Sequence, residues 1–114
     1  MVVSRTWALL AVLVLATGCA SFEASRLAAS GSQAIGRGQY ARAVEDLERA
    51  ATLAPRAAPV QNDLGVAYLA AGRPGDALRA FERAVALDCS HEPSQQNLRA
   101  LRQGRPGGAL AAQP

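Results

Sequence analysis

Few residues in this 114-residue chain have the chemistry to make or break a covalent bond, and they lie far apart. Cys19 and Cys89 are the thiols and His91 is the single histidine. Cys89-Ser90-His91 places two metal-binding side chains in one turn, but a closed zinc site takes four ligands. His91 has no nucleophile and orienting carboxylate beside it to complete a triad. The acidic residues recur at helical spacings that mate with arginine, Glu45 with Arg49 and Asp76 with Arg79, the pattern of a solvated helix surface. The glycines stand where helices end or cross, and no phosphate-cradling loop is present. These observations predict no catalytic residue, metal or cofactor, and a chain that is not an enzyme. Cys19 is left as the one thiol with a distinctive setting, because it closes a run of small residues after an apolar stretch.

That stretch begins after a single cation, Arg5, and runs from Trp7 to Ala16. At 1.5 Å per residue it reaches roughly 15 Å, about half the hydrocarbon core of a bilayer. A secretory signal sequence fits this length better than a membrane span. Its end, Leu15-Ala16-Thr17-Gly18-Cys19, resembles the lipobox of bacterial lipoproteins, although Ala16 stands where leucine is commoner. The resemblance implies a cleaved signal peptide over residues 1–18 and a Cys19 thiol that accepts a diacylglyceryl group. It also implies acylation, palmitate for example, of the new amine. Residues 19–23 read as a short tether, with the alternative that Ser21 to Ser25 join the first helix. Two or more acyl chains, at about 0.8 kcal/mol per buried methylene, anchor a protein stably. Ala20 and Ser21 follow the cysteine instead of the aspartate that retains such proteins at the inner membrane. The expected location is therefore the outer membrane, facing the periplasm. With Cys19 lipidated, Cys89 has no partner within the chain and no disulfide framework is expected.

The elements that must carry these residues are helical. Val60, Leu64, Ala67, Tyr68 and Ala71 form one apolar stripe, and Leu78, Phe81 and Val85 a second. Gly72 to Gly75 is the turn between them, with Gly72 suited to a left-handed helix end and Pro74 to the first position of the next helix. Leu64, Gly65, Tyr68, Ala77, Phe81 and Ala84 are similar, type by type and at the same spacing, to the signature of the tetratricopeptide repeat. Gln61 stands where that family often has tryptophan, and Cys89 where it often has proline. A second copy lies 34 residues earlier, the family's period: Gly31, Gly38, Ala43, Leu47, Ala50, Leu53 and Pro55 precede Gly65, Gly72, Ala77, Phe81, Ala84, Leu87 and Cys89. Its first helix is degraded, with Leu27, Ser30 and Ala34 in place of larger residues, and its second runs from Tyr40 to Ala54. Past the second copy, Leu98 and Leu101 face one way while Arg99, Arg102 and Gln103 face the other, as a closing helix requires.

The predicted fold is all-α: two helix-turn-helix repeats over about 24–57 and 58–91, a capping helix over 93–103, and a flexible tail over 104–114. Such a domain buries only about 60 to 65% of its unfolded surface, so single core changes should be felt. All twelve basic residues are arginine, the net charge is +3, and the arginines interleave with acidic residues. Without a one-signed face or an aromatic platform, nucleic acid is not an expected partner.

The family resemblance implies a protein-binding surface on the first helix of each pair. Carried over by position, it falls on Ala28, Ser32 and Ile35, then on Asn62, Val66, Leu69 and Ala70, with Gln96 and Asn97 on the closing helix. No cation recurs there, so a clamp for a peptide's terminal carboxylate is not expected. The implied role is a membrane-anchored adaptor that binds another envelope protein. Two alternatives stay open: a structural or assembly subunit of secretion, pilus or cell-wall machinery without a separable ligand, and a regulatory module for an envelope hydrolase or synthase. The sequence sets no oligomeric state.

Overall fold

Apolar stripes at helical spacing, broken by glycine and proline, yield five α-helices among the described residues of the computed structural model. It describes residues 2–105, without the side chains at 2–6, 8 and 10–17. The helices are α1 (Val2–Gly36), α2 (Tyr40–Leu53), α3 (Ala58–Ala70), α4 (Pro74–Leu87) and α5 (Glu92–Arg102). Gly38 and Gly72 end α1 and α3 with φ of 71° and 77°, in the left-handed region where a side chain is strained. Pro74 opens α4 and Pro59 and Pro93 lie in the first turns of α3 and α5, positions whose N–H has no helical partner. Most of the tail expected at 104–114 lies outside the described residues.

α1 pairs with α2 and α3 with α4, α2 lies against α3, and α5 closes the array on α4 and α3. The two hairpins cross where a side chain is missing. A Cβ on Gly31 would come within 2.5 Å of Leu47 Cγ, and one on Gly65 within 2.5 Å of Phe81 Cε1. The same contact therefore recurs at the repeat period, glycine on the first helix beneath a large residue on the second. Leu47 and Phe81 are wholly buried, as are Ala43, Ala50, Ala77 and Ala84 around them. Burying one such large side chain contributes about 1.5–3 kcal/mol.

The core forms two adjoining layers. Ala34, Ala43, Val44, Leu47, Leu64 and Ala67 make the first. Val66, Ala77, Phe81 and Leu98 make the second, and half-buried Ile35 and Tyr68 pack against both. α5 is held differently, since its buried residues are Ser94, Asn97 and Leu98, two of them polar.

The start of the first helix, open in the sequence, lies far upstream. Residues 19–23, read as a tether, are helical, and α1 runs unbroken from Val2 through Cys19 to Gly36. The physical reason is local: between Arg5 and Gly31 there is no proline, and the lone Gly18 weakens a helix without ending it. At 35 residues α1 is about 52 Å long. Among the described residues no helix is long and apolar enough to cross a membrane.

Candidate functional site

Alanine-rich helices packed side by side leave a furrow between them, because short side chains do not fill the space between neighbouring helix axes. Such a groove, of about 850 Å³, runs between α1 and the start of α3. Ala24, Ala28, Ala29 and Ile35 supply the α1 wall, and Ala57, Pro59 and Val60 the facing wall. Ser21, Ser25, Ser32 and Gln33 add neutral polar groups, and among the described residues Asp63 is the one charged residue in the lining.

Asp63 is buried, and its carboxylate serves the fold. Ser32 Oγ donates to Asp63 Oδ2 at 2.8 Å, joining α1 to α3 across the groove. Asn62 Nδ2 donates to Asp63 Oδ1 at 3.3 Å, and Asn97 Nδ2 on α5 donates to Asn62 Oδ1 at 2.9 Å. A line of polar contacts thus crosses the first helices of the array from α1 through α3 to α5. In a low-dielectric interior such bonds align helices that apolar contacts alone would let slide.

These contacts correct the sequence assignment of the binding face. Asn62 and Asn97 are 0% and 2% exposed and bonded to each other, and Val66 is buried beside Leu98. They form the seat of α5, not an open surface, because α5 covers the stripe of α3 that carries residues 62 and 66. Leu69 is half-buried against the same layer. Ile35 does line the groove, as do Ala28 and Ser32. On α3 the groove belongs instead to Pro59, Val60 and Asp63, which face α1. Their spacing of three and four residues was a visible helical stripe, but choosing between neighbouring stripes requires knowing where α5 docks.

The other signature residues build the crossings. Leu64, Gly65, Ala77, Phe81 and Ala84 are buried in the second hairpin, and Tyr68 is half-buried at its edge. Asp76 pairs with Arg79 and also with Arg73, 2.7 Å away, whose guanidinium is the main cause holding the Asp76 carboxyl below its usual range. On α2 the ion pair is Arg42 with Asp46, rather than Glu45 with Arg49.

Both cysteines are exposed free thiols. No group of three or more metal-ligating side chains occurs among the described residues. Cys19 lies two residues before Ser21 on α1, about 3 Å along the helix from the start of the groove.

Comparison with known families matches residues 34–101, from the last turn of α1 into the last turn of α5, to a family model described as the tetratricopeptide repeat. Comparison with curated proteins gives no match.

Proposed function

The chain belongs to the tetratricopeptide repeat family, a non-catalytic fold whose repeats mediate protein–protein interaction; from that premise we propose that it is a lipid-anchored adaptor of the bacterial cell envelope. Cys19 carries the lipid, and the α1–α3 groove receives a peptide or a segment of a partner subunit. The observation that carries this reading is the groove itself: open, walled by alanine, proline, valine and isoleucine, and lacking any cation among the described residues. An apolar segment without carboxylates suits it, since an anionic occupant would lose hydration without gaining a counter-ion. The exposed Cys19 thiol and the order of cation, apolar run, small residues and cysteine support the anchor. Placed in the outer membrane, facing the periplasm, the anchor holds the start of the groove close to the lipid surface.

Two measurements test the two halves separately. A photo-crosslinking residue at Ala29, in the groove, should capture one partner in intact cells, while the same residue at Arg42, on the opposite helix of the hairpin, should not. Equal capture at both positions, or capture at Arg42 alone, would remove the groove as the binding surface. Cys19→Ala should abolish metabolic fatty-acid labelling and release the protein from the membrane fraction; retained labelling would exclude the lipid site.

A further inference from the structure

Beyond the N-terminal apolar run, three large apolar side chains are exposed among the described residues: Phe22, Tyr40 and Leu53. Phe22, at 72%, is the most open of them. It stands three residues after the exposed Cys19 on α1, so the two side chains share one face about 5–6 Å apart. Leu53 reaches the same end of the molecule from α2, which returns antiparallel to α1 after a short turn. Ser30 Oγ donates to Asp46 Oδ2 at 2.7 Å; seven residues back along α1 from that bond is Glu23, and seven forward along α2 is Leu53. The Glu23 carboxyl is held below its usual range chiefly by the bond from Arg26 and in smaller part by Arg49 on α2, so the two helices are still neighbours at this level. Arg56, exposed in the α2–α3 turn, adds a cation just past Leu53. The equivalent turn after α4 exposes Asp88, Cys89 and Ser90 instead, so the apolar patch is confined to the first hairpin.

We propose that this end of the first hairpin is a seat on the lipid bilayer: Phe22 and Leu53 enter the boundary between headgroups and acyl chains, and Arg56 meets the headgroup phosphates. The seat rests on the lipid at Cys19. An acylated Cys19 holds its sulfur at the membrane boundary, and a side chain one turn further along α1 then lies within the roughly 5–10 Å over which apolar faces enter it. The bilayer is therefore the apolar phase nearest to Phe22. Entry releases the water around the phenyl ring and the leucine side chain, a gain in proportion to the apolar area covered. Arg26, Arg49 and Arg56 outnumber Glu23 here, and the excess positive charge is attracted by anionic headgroups. Contacts on two helices, added to the acyl chains, hold the domain in one orientation instead of letting it swing about Cys19. The groove, lined from Ser21 to Gly36, then meets the lipid at its Ser21 end and opens away from it at its Gly36 end.

Tryptophan fluorescence tests the seat, on the full chain extracted from membranes and reconstituted in vesicles of phosphatidylethanolamine and phosphatidylglycerol with brominated acyl chains. Each variant also carries Trp7→Phe, so the introduced indole is the only one in the chain. Leu53→Trp decides, because residue 53 is on a different helix from the anchor: it should lose about half of its emission to the bromines, as should Phe22→Trp. Tyr40→Trp, at a position as exposed as Leu53 but at the far end of the hairpin, should keep its emission. Should residue 53 not accept the larger ring, Pro55→Trp in the exposed turn beside it gives the same reading. Fatty-acid labelling of the same preparations separates the seat from the anchor. Labelled protein without quenching at 53, or with equal quenching at 53 and 40, overturns the seat and leaves the patch to a protein partner; unlabelled protein removes anchor and seat together.

Discussion

Tyr68 ties three elements at one point. From α3 its hydroxyl donates to Glu48 Oε1 on α2 at 2.6 Å, and the guanidinium of Arg73, just before α4, lies 4.5 Å from the ring centroid. Burial of the ring first, and then the bond to Glu48, push the phenol up to about 12. A phenol whose proton is held more tightly when folded stabilises the fold fully below its unfolded value of about 10. That contribution disappears as pH rises through the folded value. Urea unfolding should therefore show stability falling between about pH 10 and pH 12, and Tyr68→Phe should flatten that part of the profile. The glycines offer a second residue-scale contrast. At Gly65 any side chain meets the Phe81 ring, so Gly65→Leu should cost about 1–3 kcal/mol and lower the Tm by about 5 °C or more. Gly75 has nothing within 4 Å of an added Cβ and lies within α4, so Gly75→Ala should raise stability by up to about 1 kcal/mol.

At the scale of the element, α5 shows how one helix reassigns the faces of another. Position in the family pattern marked residues 62, 66, 69 and 70 of α3 as a binding face. Docking of α5 buries Asn62 and Val66, and Asn62 and Asn97 then become a helix–helix bond. Asn97→Ala should cost about 1–3 kcal/mol in chemical denaturation, because it removes the donor to a buried oxygen. Gln96→Ala, one position away but exposed and bonded only to Glu92 along the same helix, should cost about 0.2–0.5 kcal/mol. Equal losses at the two positions would mean that α5 is not seated through Asn97. α1 teaches the converse. Its apolar run and its repeat segment read as separate units in the sequence, yet nothing between them interrupts helical hydrogen bonding, and they form one element.

For the whole molecule, small residues are both the means of packing and the source of the groove. Glycine and alanine let paired helices approach at their crossings, and the same short side chains leave α1 and α3 with open space between them. Ala29 is exposed and lines this space, so Ala29→Arg should leave the Tm nearly unchanged, within about 0.5 kcal/mol, while sharply reducing partner capture in cells. A lower Tm together with lost capture would point to disturbed packing instead. Because the lining lacks a cation, adding one tests the apolar character of the occupant directly.

The sequence by itself determined the five-helix order, the 34-residue echo of glycine beneath a large apolar residue, and the turns at Gly38 and Gly72. These follow from local rules: helical periodicity, the conformational freedom of glycine, and proline's missing N–H. Only the tertiary structure decided which stripe of α3 meets α5 and which borders the groove. Those outcomes depend on the angle and register at which one helix settles on two others, a quantity summed over contacts between residues about 30 apart, which no local pattern encodes.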